Sequence, residues 1–425
     1  MKYKKTVLDN GLRIITVPMK DNPTVTVLAL AEAGSKYENK EVNGISHFLE
    51  HLFFKGTKNR PTSLDISKEF DGLGAQNNAF TGHEMICYWA KGQAKNLSKL
   101  LDIISDMYIN SLFPEKEIEK EKGVIVDEIN MYEDMPMVGI EDLFMELLYG
   151  DQPAGRKISG EKENIRKITR EDITRYKNQH YVAQSTVVIV AGGGFDEKKI
   201  IKEIEKKFEQ ISVTKKENKK KVIEKQTEPG VLIKNKKTDQ THLSLGARAF
   251  GLKSKQKAEL QVLTGVLGRG MSSRLFQKLR DEMGVGYYVR ASIEFFTDHG
   301  FLTVNTGVDN KRVFEVIKAI LIEFKKTTQE LVEEQELKKV KDYFTGNLML
   351  GLESSDAIAN YYGQQEILKK EIIEPAEFVK EIQAVTASEV RAIARKIFKN
   401  DRLNLALIGP FEDKDKKQFE EILKF

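Results

Sequence analysis

The segment Asn43-Gly-Ile-Ser-His47-Phe-Leu-Glu50-His51-Leu-Phe-Phe54-Lys-Gly56 decides how the rest of the chain is read. Asn43 has the chemistry of a helix N-cap and Gly56 that of a C-terminal stop, so the residues between them read as a short helix. On it His47, Glu50, His51 and Phe54 fall at i, i+3, i+4 and i+7 and share one face, while Ile45, Phe48, Leu49 and Leu52 take the other and pack it down. Two imidazoles one helical turn apart ligate a single zinc ion, and a carboxylate between them reaches a third point beside it. With six histidines in 425 residues, this His-x-x-Glu-His pattern arises by chance in about one such chain in a hundred.

A chain of 425 residues is too long for one core and implies two or more domains. Charged residues make up 31% but nearly cancel at net +4, so composition gives no case for a nucleic-acid partner. Cys87 is the only cysteine, which excludes an internal disulfide or thiolate cluster and fits a reducing, cytoplasmic compartment. The basic start, residues 1–11, is followed by no apolar stretch of signal-peptide length. The longest apolar run, 186–191, is strand-sized, so the expectation is a soluble protein with no membrane partner.

Outward from the motif, residues 5–8, an Asn10-Gly11 turn and residues 12–18 read as a β-hairpin, and 24–31 as a third strand leading into the motif helix. Residues 63–73 read as a helix, 79–90 as a strand pair and 97–109 as an amphipathic helix. Pro114 then starts a long charged helix that runs to about residue 133. Most of its carboxylates belong to a solvated face. Glu121 and Glu128 are seven apart and therefore on one face, with Val124 and Ile125 expected to seat that face inward. Both are candidates for a third ligand and its neighbour, and spacing does not choose between them.

The chain then repeats itself. A helix capped by Thr169 and a strand ending at Gly192 recur as a helix capped by Thr386 and a strand ending at Gly409, and both pairs of positions are 217 residues apart. The fold class expected is α+β, with two duplicated sandwich-like domains whose mostly antiparallel sheets are covered by helices. They are divided as 1–211 and 231–425 by a Lys-rich segment, 212–230, that reads as a solvated linker. The second half carries no ligand pattern; residues 265–280 stand at the place of the motif helix.

These motifs together resemble the insulinase and pitrilysin family of inverted-motif zinc peptidases, most nearly the short two-domain subfamily that includes the mitochondrial processing peptidase. The resemblance covers nearly the whole chain: Leu8-Asp-Asn-Gly-Leu-Arg, Ala33-Gly-Ser-Lys-Tyr-Glu38, residues 47–57, Asn78-Ala-Phe-Thr, Glu121 through Glu128, and Gly270-Met-Ser-Ser-Arg-Leu-Phe with Arg280 and Tyr287. One loop, Gly150-Asp-Gln-Pro-Ala-Gly155, departs from the family wording.

The resemblance implies His47, His51 and Glu128 as ligands of one zinc ion per chain, Glu50 as general base, and Glu121 as the supporting acid that orients a ligand histidine or the site water. It further implies Asn78 and Ala79 on an edge strand along which peptide lies, and Arg280 and Tyr287 as the pair by which the second domain holds substrate; Phe54, on the motif face, is a further substrate-binding candidate. Read alone, Arg280 is a surface helix arginine and Tyr287 a half-buried strand aromatic. The chain is thus expected to be a zinc endopeptidase acting on unfolded peptides inside a chamber closed between two copies, a homodimer. Two alternatives share the fold: a non-catalytic assembly subunit, and a presequence-type processing enzyme with one defined cut. His83, His180, His242 and His299 have no ligand spacing and read as structural.

Overall fold

β1 (Lys4–Val7) pairs antiparallel with β2 (Arg13–Pro18), as the Asn10-Gly11 turn requires. In this computed structural model, which describes residues 2–286 and 288–424, the first half continues with β3 (Thr24–Ala31), α1 (Ile45–Leu52), α2 (Ser63–Gly72), β4 (Gln76–Thr81) and β5 (Ile86–Gln93). It is completed by α3 (Leu97–Asn110), α4 (Glu115–Asp134), α5 (Pro136–Tyr149), α6 (Lys162–Lys167), α7 (Arg170–His180), β6 (Thr186–Gly192) and α8 (Glu197–Lys207).

The second half opens with β7 (Gly230–Asn235), β8 (Gln240–Ala249), α9 (Lys257–Gly268) and α10 (Arg274–Phe276), which runs on as a π-helical turn over Gln277–Glu282. There follow β9 (Val289–Phe295), β10 (Gly300–Asp309), α11 (Val313–Gln329), α12 (Glu334–Gly351), α13 (Ser355–Lys369), α14 (Pro375–Ala384), α15 (Ala387–Ile397), β11 (Leu403–Gly409) and α16 (Lys416–Ile422). The stretch 265–280 therefore spans the end of α9 and α10, and α9 alone stands where α1 stands in the first half. Among the described residues no helix is long and apolar enough to cross a membrane.

Two sheets result, ordered β1-β2-β6-β3-β5-β4 and β7-β11-β8-β10-β9. Without β1 the first order maps strand for strand onto the second. Each sheet has one parallel pair, β2 with β6 and β7 with β11, and is otherwise antiparallel. The same local chemistry recurs: Thr169 and Thr386 each close a capping box, accepting the N–H of Asp172 and of Glu389. The class is α+β, two duplicated mostly antiparallel sheets with helices on them.

The chain divides into two compact units that do not follow the sequence linearly. The first comprises residues up to Asn130, Arg156–Lys220 and Met349–Ile372; the second comprises Met131–Gly155, Lys221–Leu348 and the residues from Ile373 on. Strands β1–β6 all precede the Lys-rich segment and β7–β11 all follow its start, but α13 packs on β3 and β6 of the first sheet, and α5 on β11, β8 and β7 of the second.

The strand sequences explain why both faces need cover. In β3, Val25, Val27, Ala29 and Ala31 face the main core, where α1 and α3 lie. Its alternate residues face α13: Thr24 and Thr26 hydrogen-bond Ser355 Oγ at 3.1 and 2.8 Å, and Gly363 lets α13 come close to Leu30 and Ile189. A buried ion pair joins Arg13 of β2 to Glu366 of α13 at 3.3 Å. In the second unit Ile140, Phe144 and Leu148 of α5 pack with Phe301, Ala406 and Ile408.

The Lys-rich segment is not wholly solvated. Lys216 pairs with Glu32 at 2.7 Å, and Lys219, only 12% exposed, pairs with Glu84 at 3.2 Å. Burying two carboxylates on the first unit draws these ammonium groups down, and the run of charge that signals a free linker is used here as an anchor.

Candidate metal centre

α1 begins differently from the reading above. Gly44, not Asn43, is its N-cap, with φ +99° in the left-handed region that a glycine adopts without strain. The acceptor for the helix start is the buried carboxylate of Glu38, which takes the N–H of Gly44 at 2.7 Å and of Ser46 at 2.8 Å. Asn43 turns its amide to donate to the same carboxylate, at 2.8 Å, and to the Lys157 carbonyl at 3.1 Å. Ser46 Oγ donates to Tyr176 Oη at 2.8 Å. With this end held, and Ile45, Phe48, Leu49 and Leu52 in the core, the face bearing His47, Glu50 and His51 is fixed in direction.

α4 supplies the rest. Its inward face is Ile118, Glu121, Ile125 and Ile129, all buried; Val124, expected inward, is 44% exposed because it lies a quarter-turn off that stripe. Asp127 points to solvent. Glu128 brings Oε2 to 3.5 Å from His47 Nε2 and 3.4 Å from His51 Nε2, and the three ligand atoms lie within 4.8 Å of one another. About 3.4 Å is the edge of a tetrahedron with bonds of about 2.1 Å, so the separations of Glu128 from the two histidine nitrogens are those of ligands of one zinc ion, and three ligands leave a fourth position. Among the described residues this is the one cluster of three with such spacing.

The surroundings favour a cation. His51 Nδ1–H donates to Glu121 Oε2 at 3.1 Å, which fixes the tautomer and turns the Nε2 lone pair toward the cluster. Burial opposes charge on His51, but the hydrogen bonds to Glu121 and Glu128 outweigh it and hold its pKa up to about 9. A proton is thus drawn to the place where the carboxylates call for positive charge. Burial, reinforced by His51, pushes His47 down to about 4, so its lone pair is free. Among the described residues His47 Nδ1 has no hydrogen-bond partner; its imidazole is buried, with the His51 ring 4.8 Å away.

Burial also works to raise Glu121, yet hydrogen bonds from His51 and Lys55 keep its carboxyl below the usual range. Burial raises Glu50, with Thr81 at the end of β4 offsetting part of the shift, and Glu50 feels the charges of His51 and Glu128.

The other candidates are placed as follows. Asn78 is exposed on β4, the edge strand of the first sheet, with Oδ1 accepting the Ala79 N–H at 2.9 Å; Ala79 is buried. Phe54 is half-buried and packs against the core. Arg280 is exposed in the second unit, its guanidinium 5.6 Å above the Phe276 ring. Tyr287 lies outside the described residues. His83 bonds Ser35 Oγ, His242 bonds Tyr288 and His299 bonds Tyr149, while His180 packs between Tyr37 and Tyr176. Sequence reading missed the roles of Glu38, which stands six residues before the N-cap Gly44, and of Lys55, which stands four residues after His51.

In the second unit the corresponding place is filled by hydrocarbon. Gly265 of α9 sits where α12 crosses, and a Cβ there would lie 2.5 Å from Val340 and 2.7 Å from Phe344. Where α1 and α4 face each other through histidines and glutamates, α9 and α12 close directly.

Comparison with known proteins agrees with this asymmetry. The family model described as Insulinase (Peptidase family M16) matches residues 13–162, which span the cluster, and the one described as Peptidase M16 inactive domain matches residues 167–344, which span Gly265 and Val340. The uncharacterized zinc protease YmxG of Bacillus subtilis is 35% identical over 410 residues, covering 96% of this chain and 98% of the relative. The chain belongs to the M16 insulinase family. It has the short two-domain form: an uncharacterized zinc protease of Streptomyces coelicolor is 31% identical over 424 residues, 98% of this chain and 92% of the relative. The fold is shared with a protease from Helicobacter pylori whose crystal structure superposes with TM-score 0.90 at 22% identity, covering 96% of this chain and 99% of that one.

Proposed function

We propose that this chain is a zinc-dependent endopeptidase that hydrolyses unfolded peptides, with one zinc ion per chain held by His47, His51 and Glu128. The observation that carries the reading is the convergence of three ligand atoms within 4.8 Å, with Glu50 on the same helical face and not among them. Bound zinc supplies a Lewis acid that polarises a peptide carbonyl and acidifies a water. Glu50 takes the proton of the attacking water and hands it to the leaving amine. Glu121 keeps His51 in the tautomer that presents Nε2. The outer edge of β4, with Asn78 and Ala79, takes an extended peptide by main-chain hydrogen bonds, an arrangement that makes sequence selectivity loose, and Phe54 is a further substrate-binding residue. Arg280 and Tyr287 enter as substrate-holding residues on family resemblance alone.

We place the enzyme in the cytoplasm as a homodimer closing a chamber, since one chain carries both the metal motif and the Arg280 and Tyr287 pair. The linear division 1–211, 212–230 and 231–425 is the proposed boundary of the duplication. The test is digestion of a mixed library of short unstructured peptides by the purified protein, with oligomeric state measured alongside. Cuts in many unrelated peptides are expected. A single cut in a basic amphipathic peptide would make it a processing enzyme, and bound zinc with no cut at all would overturn the peptidase reading in favour of an assembly subunit.

A further inference from the structure

Lys55 follows His51 by four residues, just past the end of α1, and Nζ reaches Glu121 Oε1 at 2.7 Å. The other oxygen of that carboxylate, Oε2, takes His51 Nδ1 at 3.1 Å. Glu121 is buried, at 2% exposure, so both oxygens depend on these partners. One carboxylate thus serves two donors that arise one helical turn apart, and its plane is set by both. We propose that Lys55 is a positioning residue for the ligand His51, acting through Glu121. This rests on reading His47, His51 and Glu128 as a metal centre.

With Lys55 removed, Oε1 of a buried carboxylate loses its cationic partner, and the group restores balance by rotating, or by drawing in solvent. Either response moves Oε2 from the line of the Nδ1–H bond, and the imidazole that this bond aims is released to other rotamers. The ion pair of Lys55 is made to Glu121 and not to a ligand atom, so the proposed effect passes through Glu121. An arginine can place an N–H at the same oxygen; a methionine of similar length cannot.

The experiment measures zinc affinity, by competition with a chromophoric chelator, for wild type, Lys55→Met, Lys55→Arg, Glu121→Gln and the Lys55→Met/Glu121→Gln double variant. Loss of an outer partner of a metal-bound histidine typically costs about 10- to 100-fold in affinity, and that is the loss expected for Lys55→Met and for Glu121→Gln. Lys55→Arg should stay within about threefold of wild type, and the double variant within about threefold of Glu121→Gln, because the two residues form one chain of contacts. A Lys55→Met protein with wild-type affinity overturns the proposal. So does a double variant in which the two losses multiply, since Lys55 would then act elsewhere. Failure of wild type to bind zinc refutes the metal centre itself, a separate result. The metal-free forms are compared by thermal melting; rescue by arginine separates positioning from a general loss of fold.

Discussion

Replacing Glu366 by leucine tests whether α13 belongs to the first unit. The Glu366 side chain is 1% exposed, and Oε1 receives Lys5 Nζ at 2.7 Å and Arg13 Nη1 at 3.3 Å. After the substitution Lys5, already 32% exposed, turns to water. Arg13 cannot: its side chain is 8% exposed, and its remaining acceptors are the carbonyls of Gln184 at 3.2 Å and Glu366 at 3.3 Å. A buried charge left without its counter-ion costs about 3–5 kcal/mol. The only tryptophan, Trp89, lies on β5 of the same unit, so its fluorescence in a urea titration reports this unit. We expect Glu366→Leu to lower stability by about 3–5 kcal/mol, and Arg13→Met/Glu366→Leu to recover most of it, since no charge then remains unpaired. A single-variant cost below about 1 kcal/mol, or a double variant as damaged as the sum of the singles, would show that Glu366 is not the counter-ion of a buried Arg13.

Other consequences are read independently. Burial pushes His180 down to about 4, from an unfolded value near 6.5. The unfolded chain therefore binds the proton first as pH falls, and the stability that neutral His180 carries, present in full above pH 6.5, is lost between pH 6.5 and 4, by about 3 kcal/mol at the low end. Stability curves of wild type and His180→Phe should converge over that window; parallel curves would contradict it. Glu38→Ala strands the N–H groups of Gly44 and Ser46 and the Asn43 amide, and should cost about 2–4 kcal/mol and weaken zinc binding, measured by denaturation and chelator competition. Unchanged zinc affinity in that variant would mean that α1 is held from elsewhere.

What could be read in the sequence was what is local. The Asn10-Gly11 turn, the strand at 24–31, the opposite faces of α1 and the caps at Thr169 and Thr386 are each decided within a few residues, and the structure keeps them. What escaped depends on distant partners. An amphipathic helix must bury a face, but nothing in α5 or α13 says which sheet covers it, so their exchange was hidden. Asn43 has the residue type of a cap, yet a stronger acceptor, Glu38, takes the N–H groups and leaves the asparagine to donate. The same limit applies along α4. Seven-residue spacing put Glu121 and Glu128 on one face without ranking them; only the fold sets one against His51 Nδ1 and the other between the two Nε2 atoms. Lys55 carried a faint signal, since it lies one turn beyond His51, but a lysine at a helix end is ordinarily solvated.

The most direct test compares wild type with Glu50→Gln, measuring bound zinc and peptide cleavage on the same preparations. The substitution keeps the side-chain volume and leaves His47, His51 and Glu128 in place while removing the group proposed to carry the proton. The account predicts one zinc per chain in both proteins, cleavage by wild type and none by the variant. Cleavage that survives in Glu50→Gln, or a wild-type protein that cuts peptides without zinc, would contradict it.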